Sequence, residues 1–389
     1  MTELHAAPGN PGIEQLAQCH PVAADDVDAV LGLARELRSD LVVIGPEGPL
    51  VAGVADALRH AGIGVFGPSA AAARIEGSKT FAKDVMGAAG VPTARVLDAP
   101  RAPCVVKADG LAEGKGVVVC RTEPDVERAL DELAALNQPL VVEELLEGPE
   151  VSLFAVCDGV SSVVLPIAQD YKRAYDGDTG PNTGGIGSYA PVPGLDANAV
   201  ATLAATVVDP VLAELRRRGS PFVGTLFAGL MLTEDGPRVL EYNCRFGDPE
   251  TQSVLPLLEG DLAELLHSAA RGAVAQDAVE VVERAAVTVV LAAGEYPSRG
   301  DRGSLIEGID EAEASGALVF HAGTASVDGR IVTSGGRVLA ITGVGESLAA
   351  ARDAAFRAAD MIHWPGARRR DDIARAAAEG ARVEFHGAR

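Results

Sequence analysis

Residues 104 to 120 hold two short runs of strand-forming side chains, Cys104 to Ala108 and Val117 to Cys120, around a glycine-rich link with a lysine at each end. The link reads Lys107-Ala-Asp-Gly110-Leu-Ala-Glu-Gly114-Lys115-Gly116. Strand, glycine link, strand is a hairpin. A Walker P-loop is excluded: it needs four residues between glycine and Gly-Lys, then Ser or Thr and a helix, whereas here three intervene and Gly116 and a strand follow. Backbone amides and two ammonium groups can still close over a polyphosphate. Taken alone, the segment could equally be a mobile hairpin with two surface lysines.

Charge sharpens the question. With 33 basic against 55 acidic residues and a formal charge of -22, the chain repels nucleic acid and anionic membrane alike. A bound phosphate therefore needs local help from glycine-rich turns, single Lys or Arg side chains and a divalent metal. Apolar residues reach 48% and aromatics only 4%, so the core is built from Ala, Val and Leu, as in layered α/β proteins. The cysteines Cys19, Cys104, Cys120, Cys157 and Cys244 are scattered without a CxxC pair, which points to a reducing cytoplasm and away from a zinc site or disulfide framework. No apolar run approaches the roughly 20 residues of a membrane span.

The length of 389 residues suggests two or three domains. Residues 1 to 78 read as a parallel α/β unit: strand Glu3 to Ala6, a Pro8-Gly9-Asn10-Pro11-Gly12 turn, a helix capped by Asp25, strand Leu41 to Ile44, helix Leu50 to Ala61 and strand Gly64 to Phe66. Glycine turns after such strands are ligand edges, which marks Gly9, Asn10 and Glu47. Residues 79 to 275 form a second unit with a small lobe or lid at about 92 to 150, containing helix Pro124 to Leu136 and strand Leu140 to Glu143. Gln169 to Tyr189 is polar and aperiodic, a functional loop by length. Helix Ala197 to Arg217 and strands Val223 to Leu232 and Arg238 to Tyr242 follow. Residues 285 to 389 read as a separate small α+β domain. Its basic run Arg368-Arg369-Arg370 reads as a solvated helix end.

Three constellations carry chemistry. In Leu240-Glu241-Tyr242-Asn243-Cys244-Arg245, period-two alternation puts Glu241, Asn243 and Arg245 on one face. The carboxylate and amide oxygens are hard donors suited to Mg²⁺, and a guanidinium beside them can stabilise a phosphoryl group in transit. Val141 to Leu146 ends a strand in Glu143 and Glu144; taken alone these read more readily as surface acids at a strand end, but backbone oxygens of such a linker can read an adenine amino group and Glu150 can accept ribose hydroxyls. Asp178-Thr179-Gly180-Pro-Asn182-Thr183-Gly184-Gly185 supplies amides, hydroxyls and a carboxylate for a small zwitterion or a phosphate. The seven histidines are isolated and no nucleophilic triad is evident. ATP activation of a carboxylate followed by attack of a substrate amine fits what is present.

With these motifs in this order, the chain from Ala7 to about Arg375 resembles the phosphoribosylamine-glycine ligase (glycinamide ribonucleotide synthetase) family of the ATP-grasp superfamily. Gly-Pro-Glu-Gly-Pro-Leu-Val (45–51), Gly-Ser-Lys (77–79), the 107–117 hairpin, Asp178 to Gly185, Glu241 to Gln252, Phe-His-Ala-Gly-Thr (320–324) and Ser-Gly-Gly-Arg-Val (334–338) all carry the likeness. The resemblance implies that ATP, Mg²⁺ or Mn²⁺, glycine and 5-phosphoribosylamine give glycinamide ribonucleotide, ADP and phosphate through a glycyl phosphate, in a cytoplasmic monomer. Lys79, Lys107 and Lys115 would contact ATP phosphates with Gly110, Gly114 and Gly116 around them. Glu143, Glu144, Leu146 and Glu150 would hold the adenosine, Glu241 and Asn243 the metal, and Arg245 and Lys115 would act in catalysis. The glycine and phosphoribosylamine end would meet Gly9, Asn10, Glu47 and residues 178 to 185.

Three departures from the family pattern are expected to matter. Met1 falls where the family's second strand starts, so a first strand and Gly-Gly-Arg-Glu-like turn are expected to be missing. Pro92 to Val105 lacks the family's helix, and Glu113 adds negative charge beside the ATP phosphates. The competing expectations are another ATP-grasp carboxylate-amine ligase and a nucleotide-binding fragment without catalysis. A nicotinamide dehydrogenase is excluded by the missing Gly-x-Gly-x-x-Gly.

Overall fold

The computed structural model describes residues 3–111 and 116–387. In the N-terminal layer, His5–Ala6 pairs in parallel with Gln18–Cys19, and Leu41–Val43 in parallel with Gly64–Phe66. The helix Val27–Glu36 is capped one residue later than expected, by Asp26, whose carboxylate accepts from the Ala29 amide. The single helix expected from Leu50 to Ala61 is two, Glu47–Ala52 and Val54–His60. They break at Gly53, whose φ of 89° belongs to the left-handed region that only glycine enters freely. A further helix, Ala70–Gly77, starts at the Ser69 cap.

The lid lobe follows its sequence pattern closely. Cys104–Ala108 runs antiparallel between Val117–Cys120 and Leu140–Glu144. The helix Glu123–Ala134, held by a Thr122/Asp125 capping box, lays Val126, Ala129 and Leu133 onto Cys104, Val106 and Cys120. These residues form a small core of their own. Residues 92 to 103 contain no helix and instead bridge outward, Thr93 to Val239 and Val96 to Glu143.

Opposite the lid lies a four-stranded antiparallel sheet in the order Gly236–Asn243, Val223–Thr233, Glu150–Asp158, Ser162–Val164. Its register shifts between Gly229 and Leu230, which face Glu241 and Val239, so Leu240 is the extra residue of a bulge. The helical stretch 197–217 is apolar and long enough to span a bilayer by composition. It breaks at Val208 ahead of Pro210, and Leu203, Val207, Val211 and Leu215 bury fully in the main core.

The C-terminal half corrects the sequence reading most. Its five-stranded sheet runs Gln169–Asp170, Gly187–Ala190, Ala285–Ala292, Arg337–Gly345, Leu318–His321. Two of its strands therefore come from the stretch expected to be an aperiodic loop. That stretch also forms a hairpin, Arg173–Tyr175 with Thr179–Asn182. The C-terminal sheet is thereby continued by two strands from the stretch next to the site. A row of buried hydroxyls reinforces the seam: Ser188 to Ser253, Ser253 to Thr288 and Thr288 to Thr342, each at 2.7 Å. The run 368–370 is likewise no solvated helix end, because Arg370 is 1% exposed and lies in an ion-paired seam.

Candidate active site

The lid strand, the bulged strand and the C-terminal sheet enclose one cavity of ≈ 700 Å³. The two motifs that had to meet do meet: Lys107, Gly110 and Gly116 line it together with Glu241, Asn243 and Arg245. Lys107 is buried at the end of its strand and is 2.7 Å from Glu143, whose other oxygen is 2.8 Å from Lys83. The Lys107 ammonium also donates to the Leu240 carbonyl at 2.9 Å, the bond made available by the bulge. Lid and sheet are thereby tied at the point where both carry charge.

Burial alone would raise the pKa of the Glu241 carboxyl, but Lys107, Lys172 and Lys79 outweigh it and hold the group below the usual glutamate value. An ionised carboxylate hydrogen-bonded to Asn243 is a pair of hard oxygens facing three cations, the donor chemistry that a phosphate-bound divalent cation needs. Lys79, whose ammonium donates to the Gly110 carbonyl at 3.1 Å, is pulled below the ordinary lysine value by burial, with Glu241 opposing. At the hinge of the lid, Asp109 accepts from Ser78 at 3.1 Å and from the Thr80 hydroxyl at 2.5 Å, so the glycine link starts from the N-terminus of the helix Lys79–Ala89.

Other sequence-selected residues lie elsewhere or are differently employed. Arg245 lines the cavity, but its guanidinium is held by Glu47 at 3.0 Å and Glu76 at 3.2 Å, so it presents a braced face and not a free fork. Glu144 points away from its neighbour Glu143, as strand alternation requires, and binds Arg95. Leu146 is not among the lining residues, and Glu150 reaches the cavity only through its ion pair with Lys172. Asn10 is committed to structure: its amide donates to the His321 carbonyl at 2.7 Å and its oxygen accepts from Gly12 and Ile13. Gly9, at φ 80°, packs where a Cβ would strike the Cys19 sulfur.

The 178–185 segment divides. Thr183 and Gly184 line the cavity, whereas Asp178, Thr179 and Gly180 sit on the hairpin outside it, and Asp178 pairs with Arg370 at 2.8 Å. Asn182 donates to the Val117 carbonyl of the lid strand at 3.3 Å. Gly185 folds back, its amide on the Thr183 hydroxyl. Gly114, Lys115 and Glu113 lie outside the described residues.

Several cavity residues escaped the sequence reading. Lys83 and Glu76 come from helices where they look like ordinary surface charges. Asp170 and Lys172 came from the segment read as irregular; Asp170 ends a two-residue strand and Lys172 lies in the link to the next, too little regular structure to give a signal. Glu250 is fully buried, and burial, with Asp170 adding, pushes its pKa up to about 8. Although burial opposes it, Lys172 is held well above the ordinary lysine value by Asp170 and Glu150. Arg337 crosses from the C-terminal sheet to the Gly184 carbonyl at 2.7 Å and to Asp248 at 3.1 Å, while the Tyr296 hydroxyl accepts from the Gly184 amide.

A hairpin lid over an antiparallel sheet, with lysines above and a Glu-x-Asn pair below one cavity, is the architecture of an ATP-grasp enzyme. Three family models cover most of the chain: phosphoribosylglycinamide synthetase N domain at residues 1–76, ATP-grasp (A) domain at 77–251 and C domain at 286–376. The chain belongs to the phosphoribosylglycinamide synthetase family. It is 52% identical over 394 residues to the phosphoribosylamine-glycine ligase of Streptomyces coelicolor, covering 97% of this chain and 94% of that one. It is 51% identical over 398 residues to the enzyme of that name from Mycobacterium tuberculosis, covering 97% and 93%. The crystal structure of the Thermotoga maritima phosphoribosylamine-glycine ligase matches with a TM-score of 0.83 at 35% identity, over 95% of this chain and 94% of that one. The biotin carboxylase domain of Hydrogenobacter thermophilus 2-oxoglutarate carboxylase, in complex with MgADP, shares the fold with a TM-score of 0.71 at 17% identity, over 98% of this chain and 90% of that one.

Proposed function

We propose that the chain ligates glycine to 5-phosphoribosylamine in purine biosynthesis, with ATP converted to ADP and phosphate. The observation that carries this reading is the convergence of Lys107 and Glu241 with Asn243 on one cavity, in a chain that belongs to a ligase family. Lys79 and Lys107 lie on the nucleotide side and would bind the triphosphate, beside Gly110 and Gly116. Glu241 and Asn243 would hold Mg²⁺, or Mn²⁺ in its place, which when bound neutralises phosphate charge and orients the terminal phosphoryl group.

The glycine carboxylate attacks the terminal phosphorus, giving glycyl phosphate and ADP. The phosphoribosylamine nitrogen then attacks the acyl carbon; the C–N bond forms, the nitrogen gives up a proton to solvent or the departing phosphate, the acyl C–O bond breaks and phosphate leaves with the electron pair. No enzyme nucleophile is required. The chain's contribution is alignment and electrostatic stabilisation. Thr183, Gly184 and Arg337 define the acceptor side, and Arg245, braced by Glu47 and Glu76, stabilises charge where the phosphoryl group passes. Four of the five cysteines are buried thiols and the fifth is half-buried and free, in keeping with a reducing cytoplasm.

The test is incubation of the purified chain with MgATP, glycine and phosphoribosylamine, with mass detection of product and ADP. One glycinamide ribonucleotide per ADP is expected. ADP release that does not respond to glycine and phosphoribosylamine together rejects the assignment.

A further inference from the structure

The tip of the hairpin Arg173–Tyr175/Thr179–Asn182 is occupied by the chain's own C-terminal segment. Arg370, 1% exposed, forks onto Asp372 with two contacts of 2.7 Å, reaches Asp178 at 2.8 Å and donates to the Arg173 carbonyl at 3.0 Å. Its guanidinium also stacks 4.8 Å from the Tyr171 ring centre. The Asp371 amide donates to Asp176 at 2.9 Å, and the Gly177 amide to Asp372 at 2.8 Å. Arg368 donates to the Ala174 carbonyl and lies over the Tyr175 ring. Every residue from 171 to 178 except Lys172 is thus held by residues 368 to 374, the Tyr171 hydroxyl accepting from the Ala374 amide.

Lys172 turns the other way, into the cavity, where it pairs with Glu150 and Asp170. Across the hairpin, Thr183 donates to the Lys172 carbonyl at 2.9 Å and lines the same cavity, and Asn182 reaches the lid strand at Val117. The outer edge of the hairpin is therefore clasped by the tail while its inner edge forms the acceptor wall. A guanidinium fork with four fixed partners defines an orientation that a lysine point charge cannot reproduce.

We propose that Arg370 is a positioning residue for the ligation: by clasping the hairpin tip it sets Thr183, bonded across the hairpin to the Lys172 carbonyl, on the acceptor side of the cavity. This rests on the ligase reading and on Thr183 facing the acceptor substrates.

The experiment is steady-state kinetics with glycine, phosphoribosylamine and ATP varied in turn, alongside thermal unfolding, for wild type, Arg370→Lys and Asp178→Asn. Asp178 has a side chain 74% exposed, so its variant keeps the question answerable if Arg370→Lys folds poorly. The expected result is a KM for glycine or phosphoribosylamine raised about tenfold in Arg370→Lys, since small misplacements are costly in a site that works by alignment. Asp178→Asn shifts the same constant in the same direction by less, and the KM for ATP stays within about twofold of wild type in both. Variants that lower only the melting temperature, or that shift all three KM values together, overturn the proposal. A wild-type chain inactive on glycine and phosphoribosylamine overturns the ligase reading itself, a distinct result.

Discussion

Lys107 and Glu143 face each other at 2.7 Å at the root of the lid, and the same carboxylate takes Lys83 at 2.8 Å. One nearly inaccessible acid thus balances two lysines, the first aimed at the cavity and the second anchored to Thr93 and the Ala94 carbonyl. Glu143→Gln keeps the shape and removes the charge, leaving two buried cations uncompensated. Breaking a buried ion pair from one side costs roughly 3–5 kcal/mol. Chemical denaturation should show a loss of that order, and the KM for ATP should rise; an unchanged unfolding midpoint would mean that the pair is solvated.

Arg337 joins the C-terminal sheet to the acceptor turn through Gly184 and Asp248. Arg337→Ala is expected to loosen that wall without touching the nucleotide side, so kcat/KM for glycine should fall by about tenfold to a hundredfold. Tight ATP binding should persist in calorimetry. Equal losses for both substrates would argue that Arg337 supports the whole fold.

Asn10 was a candidate for substrate contact, and its hydrogen bonds to His321, Gly12 and Ile13 give it a structural task. Asn10→Ala should lower stability by about 1–3 kcal/mol, the cost of stranding partly buried polar groups. All three KM values should stay near wild type in the folded fraction. A selective rise for phosphoribosylamine would return Asn10 to the binding site.

Glu250 carries the pH prediction. Its folded pKa lies at about 8, raised first by burial and then by Asp170, whereas an unfolded glutamate titrates near 4.3. Between those values the folded chain holds a proton that the unfolded chain releases, so stability falls as pH rises through that window and levels off above it. Glu250→Gln removes the dependence. Melting curves at pH 5 and pH 8.5 should show the variant gaining on wild type only at the higher pH; a gain that is equal at both would contradict the assignment.

Much of the site was legible because it lies on regular strands. Period-two alternation placed Glu241 and Asn243 on one face, and β-branched runs marked the lid strands. The same alternation separates Glu143 from Glu144. What stayed hidden depends on partners far along the chain. The strands Gln169–Asp170 and Gly187–Ala190 are too short to show a period, and they exist because the C-terminal sheet pairs with them. The bulge at Leu240, which frees a carbonyl for Lys107, leaves no trace in hydrophobic pattern. Arg370 looked solvated beside its neighbouring aspartates because Asp178 and the Tyr171 ring, which bury it, lie far earlier in the chain.

On the proposed reading, the lysines of the lid side and the Glu241–Asn243 pair act on one nucleotide. Calorimetric titration with ATP, with and without Mg²⁺, for wild type, Lys107→Met and Glu241→Gln tests it most directly. Lys107→Met is expected to weaken ATP binding in both conditions, and Glu241→Gln to abolish the enhancement by Mg²⁺ while leaving metal-free binding no weaker than in wild type. An Mg²⁺ enhancement that survives intact in Glu241→Gln would contradict it.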